Sequence, residues 1–502
     1  MKKIFKQINK ENKITFILTL IITILICQNF LQMHYSSDTY VLYDLGYMQY
    51  PQKYFLLDGR FISAIVCYLA GLIKIPINAY IIGMDFIGII FIATAIYIIN
   101  DIVLSLIKIQ DKKVKIATLA SSFVLILNQF ALEYLLFPES AIMCLGVLLN
   151  VIAVKFMVKE TKHKYVKIFI TLLIAALCYQ GELNIFPILA LTIYIIKQIT
   201  DKREYKIKEK EFLIEMIKLA GIVCVVLVIL LVLVKFGKNL LNSKQDRMMH
   251  LNSLEAVKLR GRTVLEYMEE LWTQNMHMLP KHASTIVLLT SLILLITLRT
   301  KKEFIMQYIL TIFVAFFICV LPMFLFNTGI CGRVNVPLMM LWGASLLILI
   351  AQSTIIESQT KKRIIYAFAI ISFIINSIFL MQNITEHIAS NRIEENNGKT
   401  IKYLIEKYES ETGHKVTKFS YLYDRDPQQF AVGIKPIGSL TERKLACSWS
   451  VLQAMNFYCE RKFQLVGIQR EEYDEYFLNK DYSEFSEEQI VIKNDTIYML
   501  IY

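Results

Sequence analysis

Residues 33–60 read MHYSSDTYVLYDLGYMQYPQKYFLLDGR and form the first polar interruption after an apolar run. Asp38, Asp44 and Asp58 stand among six tyrosines, and Arg60 ends the stretch directly before a new apolar segment. Carboxylates beside hydrocarbon cost free energy, which makes them candidates for function. A surface loop that carries acids for solubility is the alternative, but such a loop has no need of an Asp-Gly-Arg directly before a helix. The stretch is therefore the predicted functional centre of the chain.

The composition is typical of a membrane protein. Of 502 residues, 56% are hydrophobic and only 19% are charged, and apolar runs of spanning length recur along the chain. The formal net charge of +12 could indicate nucleic-acid binding, but Lys and Arg lie mostly in short links between apolar runs, as in cytoplasmic loops. The first apolar run is too long for a signal peptide and no small-residue cleavage site follows it, so we expect a retained helix. The sequence predicts an all-α polytopic membrane protein that does not bind nucleic acid.

The distribution of Lys and Arg among the links predicts the orientation of the chain in the plasma membrane. With the basic N-terminus in the cytoplasm, residues 33–60 and 237–283 face outside. Segment 61–73 would be only about 20 Å long as a helix, so we expect that it does not cross. About eleven crossings are expected, at 14–32, 77–106, 116–136, 141–157, 167–180, 185–197, 218–236, 284–298, 304–326, 335–352 and 364–382.

This topology brings three glutamates to the same membrane face as the three aspartates. Glu139 and Glu182 lie in short outer links, and Glu133 lies slightly deeper. Each could be a solvated loop residue. Together they suggest a polar cavity that opens outward.

The C-terminal part of the chain has no apolar run of spanning length, and the number of crossings places it outside. Its patterns predict a small α/β module, with helices at 393–410 and 447–461 and strands at 415–423, 462–468, 489–495 and 496–502. The chain thus divides into a transmembrane domain, residues 1–382, and an extracytoplasmic domain, residues 383–502.

Motifs for metals, nucleotides and cofactors are weak or absent from the sequence. Asp424 and Asp426 form an Asp-x-Asp, which holds a divalent metal in soluble glycosyltransferases, but here Pro427 follows in a turn-like setting. The seven histidines form no zinc spacing, and the chain contains no Gly-x-x-x-x-Gly-Lys loop for a nucleotide. We therefore expect no cofactor, and a divalent metal is not indicated.

Several short motifs resemble those of one enzyme family. They are Asp38 in the first outer loop, the Asp58-Gly59-Arg60-Phe61 opening of the next segment, Tyr179-Gln180 at an outer helix end, and Arg333 with Pro337 before a late helix. This set is similar to the phage-type O-antigen glucosyltransferases, which belong to the GT-C class of membrane glycosyltransferases. The resemblance covers roughly residues 10–380 and implies a GT-C-like fold.

The resemblance implies a glucosyltransferase that moves a sugar from a polyprenyl-phosphate donor to an envelope glycan on the outer face. A carboxylate must take the acceptor's hydroxyl proton, and cations must stabilise the departing lipid phosphate. Asp38 is the expected base, although that family's first loop often carries adjacent acids, so the choice between Asp38 and Asp44 stays open. Arg60 and Arg333 are the expected phosphate ligands, because a guanidinium binds phosphate oxygens in a fork. Anchoring to lipid headgroups is their alternative role.

The same resemblance assigns sugar binding to Asp58, Tyr179, Gln180 and Glu182, whose side chains could contact sugar hydroxyls or faces. Interfacial tyrosines could equally form the aromatic belt of a membrane protein. The implied partners are the lipid-linked donor, a glycan or lipid-linked acceptor and the bilayer. A flippase and a donor synthase are possible protein partners.

Two other functions remain open. A lipid-linked sugar flippase or transporter would carry charged or broken helices near the bilayer midplane and often an internal repeat, and the sequence has neither. An envelope-glycan polymerase or ligase would need paired arginines in a large outer loop, for which Arg260 and Arg262 are the candidates. They lie in an amphipathic helix that we expect along the membrane surface, where it could also be merely solvated.

Overall fold

The computed structural model describes residues 10–109, 111–159, 161–201, 205–241, 253–325 and 330–502. Apolar runs fold as helices because backbone groups in hydrocarbon must be satisfied internally. The helices of the membrane region are α1 (Lys10–Cys27), α2 (Ser37–Tyr54), α3 (Phe61–Leu72), α4 (Ile77–Ile107), α5 (Lys112–Ile126), α6 (Ser140–Val158), α7 (Lys164–Cys178), α8 (Ile185–Thr200), α9 (Tyr205–Leu240), α10 (Leu254–Met268), α11 (Ala283–Thr297), α12 (Lys302–Leu325), α13 (Val336–Ser353) and α14 (Gln359–Thr412).

Eight helices in the described part of the chain are long and apolar enough to cross a membrane. Three more, α5, α7 and α11, lie where crossings were predicted but have 15 residues each, which is about 22 Å. The prediction of a mostly helical membrane protein is confirmed, and the count of eleven crossings stays a prediction. The helix α3 has 12 residues, as expected for a segment too short to cross.

The predicted crossing at 116–136 is wrong in extent. The helix α5 ends at Ile126, and residues 130–135 form a 3-10 turn. Buried amides stabilise this break: Gln129 donates to the carbonyl of Asn376 at 2.9 Å, and the Asn376 side chain donates to the carbonyl of Leu127 at 2.9 Å. A long-range pairing of this kind leaves no local signal in hydropathy.

The stretch 33–60, read from sequence as a loop, contains the helix α2. Ser36 and Thr39 form a capping box, in which each side chain accepts a hydrogen bond from the other's backbone N–H. Gly46 lies inside the helix with φ of 69°, and Pro51 follows, so the helix is kinked. Gly and Pro have low helix propensity, so the sequence at these two positions did not predict a helix.

The helix α13 is the centre of the membrane region, because all of its side chains are buried. The C-terminal unit, defined here as residues 413–502, contains short helices and one sheet. Its elements are β1 (Lys418–Tyr423), α15 (Gly438–Thr441), α16 (Val451–Tyr458), β2 (Gln464–Leu465), α17 (Arg470–Phe477), β3 (Ile490–Lys493) and β4 (Thr496–Ile501). The strand order is β2-β1-β4-β3, with β1 parallel to both neighbours and β3 antiparallel to β4. The predicted small α/β module is confirmed.

The C-terminal unit is packed onto the membrane region. The helix α14 runs without a break through residue 382, where the domain boundary was predicted. Ile401 and Ile405 of α14 and Tyr40 of α2 lie in the same hydrophobic cluster as Phe419 and Ile497 of the sheet. The stretch 33–60 therefore shares a core with the C-terminal unit.

Candidate functional site

The turn Asp58-Gly59-Arg60 positions the first arginine of the site. Gly59 has φ of 78°, and a Cβ there would lie 2.7 Å from Val234 of α9, so only glycine fits the turn and the contact. The side-chain amide of Gln180 donates to the carbonyl of Asp58 and ties the turn to the end of α7. Arg60 occupies the N-cap position of α3.

Arg60 is held by carboxylates on two sides. Its Nη1 donates to Oε1 of Glu139 at 2.9 Å, and its Nη2 lies 3.6 Å from Oδ2 of Asp58. Its guanidinium carbon lies 4.7 Å from the ring centroid of Tyr179, within cation–π range. Its Nε is buried without a hydrogen-bond partner in the described part of the chain. One edge of this guanidinium therefore carries a donor that no described group satisfies.

Arg333, the second arginine of the site, also contacts Tyr179. Its Nη1 and its backbone N–H donate to Oε2 of Glu133 at 3.2 and 3.1 Å, and its guanidinium stacks on the ring of Phe137. Its Nε donates to the hydroxyl of Tyr179 at 3.2 Å. Tyr179 therefore contacts both arginines, which lie far apart in sequence.

Asp38 lies in the first turn of α2 and is half-buried. Burial raises the pKa of its carboxyl group, while the positive charges of Arg60 and Arg333 act in the opposite direction. The same two arginines act on Glu139, whose pKa burial raises to about 7. Asp38, Glu139 and both arginines therefore form one electrostatic group.

Asp44 lies outside this group. Its Oδ1 accepts a hydrogen bond from the side chain of Asn456 in α16 at 3.1 Å. Lys462 of the C-terminal unit donates to the Asp44 carbonyl at 3.3 Å. The charges of both arginines therefore act on Asp38, whereas hydrogen bonds connect Asp44 to the C-terminal unit.

Glu182 is fully buried, and neither carboxylate oxygen has a hydrogen-bond partner among the described residues. A Cβ at Gly146 of α6 would lie 1.4 Å from Oε2 of Glu182, so the glycine makes room for this carboxyl group. A buried carboxyl group without partners is costly. A ligand hydroxyl could supply the missing hydrogen bonds, as the predicted sugar-binding role requires.

The site-residue predictions did not include Glu133 and Glu139 as arginine partners. The alternative of solvated loop residues is wrong for both, because each is fully buried. They lie 200 and 79 residues from the arginines they bind, so sequence spacing gave no indication of the pairing. The sequence indicated only that both glutamates lie on the same predicted membrane face as the aspartates.

Charge balance limits what the site can bind. Two arginines face five carboxyl groups, those of Asp38, Asp58, Glu133, Glu139 and Glu182. Proton uptake at neutral pH reduces this excess, since the pKa of Glu139 lies near 7. An anion with a single charge suits the two arginines better than a highly charged one.

Arg260 and Arg262 do not form a pair. Arg260 is buried, and its Nε donates to the carbonyl of Met323 at 2.9 Å, whereas Arg262 is exposed. Met323 lies in the last turn of α12, where helix carbonyls have no intrahelical donor. Arg260 therefore stabilises α12. Residues 242–252 of the predicted outer link 237–283 are not among the residues that the structure describes.

A family model described as glucosyl transferase GtrII matches residues 30–344, which is more than half of the chain. This range contains both arginines, Tyr179 and every carboxyl group of the site. No curated protein sequence matches the chain. The match confirms the resemblance to phage-type O-antigen glucosyltransferases, and the chain belongs to the GtrII family of glucosyl transferases.

Proposed function

We propose that this membrane glucosyltransferase takes glucose from a polyprenyl-phosphate donor and transfers it to an envelope glycan on the outer face. The proposal rests on the two arginines that meet at Tyr179, with Asp38 in their electrostatic reach. A polyprenyl-phosphate sugar is a phosphodiester with one negative charge, which agrees with the charge balance of the site.

The donor phosphate is bound between the guanidinium groups. It uses the unpartnered Nε of Arg60 and the part of Arg333 that the Glu133 and Tyr179 bonds leave available. As the bond between the anomeric carbon and the phosphate oxygen breaks, negative charge grows on the leaving phosphate. Fixed cations in a partly buried site stabilise that charge in the transition state.

Asp38 acts as the general base. It accepts the proton of the acceptor hydroxyl while the hydroxyl oxygen forms the new bond to the anomeric carbon. Its pKa is raised by burial, which makes it a stronger base than an exposed aspartate. Asp58, Gln180 and Glu182 contact the sugar, and Tyr179 holds the arginines in place.

The test is incubation of purified protein with labelled polyprenyl-phosphate glucose, with UDP-glucose as the matched soluble donor. We expect sugar transfer or release from the lipid donor only, and its loss in Asp38→Asn. Turnover of UDP-glucose without the lipid donor would contradict the proposed donor. Lipid translocation without any change in the glycosidic bond would favour a flippase instead.

The outward orientation of the site is a separate part of the proposal. Ser36 is buried as the cap of α2 and unsuitable for labelling, but Gln49 of α2 and Ser483 of the C-terminal unit are exposed. Cysteines placed at these two positions should react with a membrane-impermeant thiol reagent on intact cells, above the background of the parent protein. Labelling only after lysis would place the site inside.

A further inference from the structure

A buried hydrogen-bonded chain of four side chains connects the C-terminal unit to the start of α6. Its members are His387, His34, Asp85 and Ser140. His387 Nδ1 lies 2.6 Å from the carbonyl oxygen of Leu440, and His387 Nε2 lies 3.1 Å from His34 Nδ1. His34 Nε2 lies 3.0 Å from Asp85 Oδ2, and Ser140 Oγ donates to Asp85 Oδ1 at 2.7 Å. All four side chains are at most 1% exposed. No sequence motif indicates these contacts, because the four residues lie far apart in sequence.

The carbonyl at one end decides how the chain is protonated. A carbonyl only accepts, so His387 Nδ1 carries a proton. The His387–His34 link and the His34–Asp85 link each need one further proton. Two imidazoles and one carboxyl group that together carry three protons have no net charge. This holds whichever of the two atoms in each link carries the proton. The chain can therefore be buried with every hydrogen bond made, which is the condition for stable polar groups in a core.

One side of the chain fixes the start of α2. Tyr35 follows His34, and its backbone N–H and carbonyl are both bound by the side chain of Asn391, at 2.5 and 3.1 Å. Ser36 then caps the helix, and Asp38 lies in its first turn. The position of Asp38 thus depends on two residues of α14, which lie one turn apart.

The other side of the chain fixes the start of α6. Ser140 is the first residue of that helix, and Glu139 is its N-cap. Glu139 binds Arg60 at 2.9 Å. Asp85 therefore connects, through Ser140 on one side and His34 on the other, the two segments that carry the base and the arginine partner.

We propose that Asp85, His34 and His387 are positioning residues of the transferase, which hold Asp38 and Glu139 in register through neutral hydrogen bonds. Because the chain ends on a carbonyl of the C-terminal unit, that unit completes the site although it supplies no reacting group. This inference rests on the proposed function, because the placement of Asp38 matters for turnover only if Asp38 is the general base.

Substitution at Asp85 separates hydrogen bonding from charge. In Asp85→Asn, the amide can donate to His34 Nε2 and accept from Ser140, so the chain keeps three protons and all of its links. Asp85→Leu has a similar volume but leaves both partners without hydrogen bonds. We expect Asp85→Leu to lower kcat about tenfold or more while the donor KM changes by no more than about threefold, and we expect the kcat of Asp85→Asn to stay within about threefold of the parent value.

Ser390→Ala is the matched control. Ser390 is buried on α14 and donates to the carbonyl of Thr441 at 3.1 Å, so it binds the same segment of the C-terminal unit outside the chain. We expect its kcat to remain near the parent value. The proposal is overturned if Asp85→Asn is as impaired as Asp85→Leu, since charge would then matter, or if Asp85→Leu keeps normal kcat.

Hydrogen–deuterium exchange gives a second measurement that does not depend on activity. Amides of residues 36–40 and 139–143 should exchange faster in Asp85→Leu than in Asp85→Asn or the parent. If the parent transfers no sugar, the proposed function fails and the exchange data still decide the positioning role. If the parent is active and the exchange rates of the variants do not differ, the positioning role alone fails.

Discussion

The two aspartates of α2 are chemically identical and lie six residues apart, yet they contact different parts of the molecule. Asp38 shares its surroundings with Arg60 and Arg333, whereas Asp44 is bound by Asn456 and Lys462 of the C-terminal unit. Six residues of an α-helix turn through about 600°, so the two carboxyl groups lie about 120° apart around the axis. The helical geometry therefore gives α2 two sides: an arginine side, which carries Asp38, and a C-terminal side, which carries Asp44. A loop would not impose this separation.

This difference assigns distinct effects to the two sides. Changes on the arginine side should alter turnover, donor affinity or their pH dependence. Changes on the C-terminal side should alter how firmly the C-terminal unit is held and leave the chemical step intact.

The largest effect is expected from removal of the base. Asp38→Asn keeps the size of the side chain but cannot accept the acceptor's proton, so kcat should fall by about a hundredfold or more. Donor KM should change little. The measurement is the transfer rate at saturating donor, with correct folding checked by gel filtration.

Asp44→Asn is the matched comparison on the other side of α2. The amide oxygen can still accept from Asn456, so turnover should stay within about fivefold of the parent. An inactive Asp44→Asn beside an active Asp38→Asn would reverse the assignment. Normal activity in both would remove the base from this helix altogether.

The second effect concerns the two arginines. Lysine keeps the positive charge but loses the fork geometry, so Arg60→Lys and Arg333→Lys should each raise the donor KM by about tenfold. Arg333 should also tolerate lysine less well in folding, because its Nε bond to Tyr179 is lost. Unchanged donor KM in both variants would place the phosphate elsewhere.

Parts of this site could be predicted from sequence. Hydropathy located the membrane helices because a bilayer leaves the backbone few alternatives, and Arg60 and Arg333 carried a family resemblance. The helix α2 escaped prediction because Gly46 and Pro51 lower its propensity, while its stability comes from a cap and from packing on the C-terminal unit. The pairing of Glu139 with Arg60 could not be predicted, because only the fold brings these segments together.

The third effect is a pH dependence of donor binding. The pKa of Glu139 is raised by burial to about 7, so this residue takes up a proton as the pH falls from 8 to 6. Protonation weakens its hold on Arg60, which gains capacity for phosphate. The donor KM should therefore fall about threefold over this range, whereas the phosphodiester itself keeps one charge throughout.

Glu139→Gln tests this explanation. Glutamine keeps a hydrogen-bond acceptor for Arg60 without a titrating group, so the donor KM should be low and nearly constant between pH 6 and 8. A donor KM that rises toward acid in the parent would contradict the expected competition. A pH dependence that survives in Glu139→Gln would assign it to another group.

The smallest effect on turnover is expected at the contact between α2 and the C-terminal unit, where Asn456 donates to Asp44 and accepts from the backbone of Phe463 at 2.9 Å. Asn456→Ala removes both bonds and should weaken this contact by about 1 kcal/mol. Cys459 lies at the end of the same helix and is buried, so its reaction with a thiol reagent, followed by mass spectrometry, reports opening of the unit. We expect Asn456→Ala to speed this labelling about fivefold, and Lys462→Ala, which removes a mostly exposed charge, to change it less than twofold.

Turnover should be the same in both variants, because the contact lies on the side of α2 away from the arginines. Slower turnover in Asn456→Ala without faster labelling of Cys459 would mean that Asp44 acts in the reaction, and the separation between the two sides of α2 would be lost.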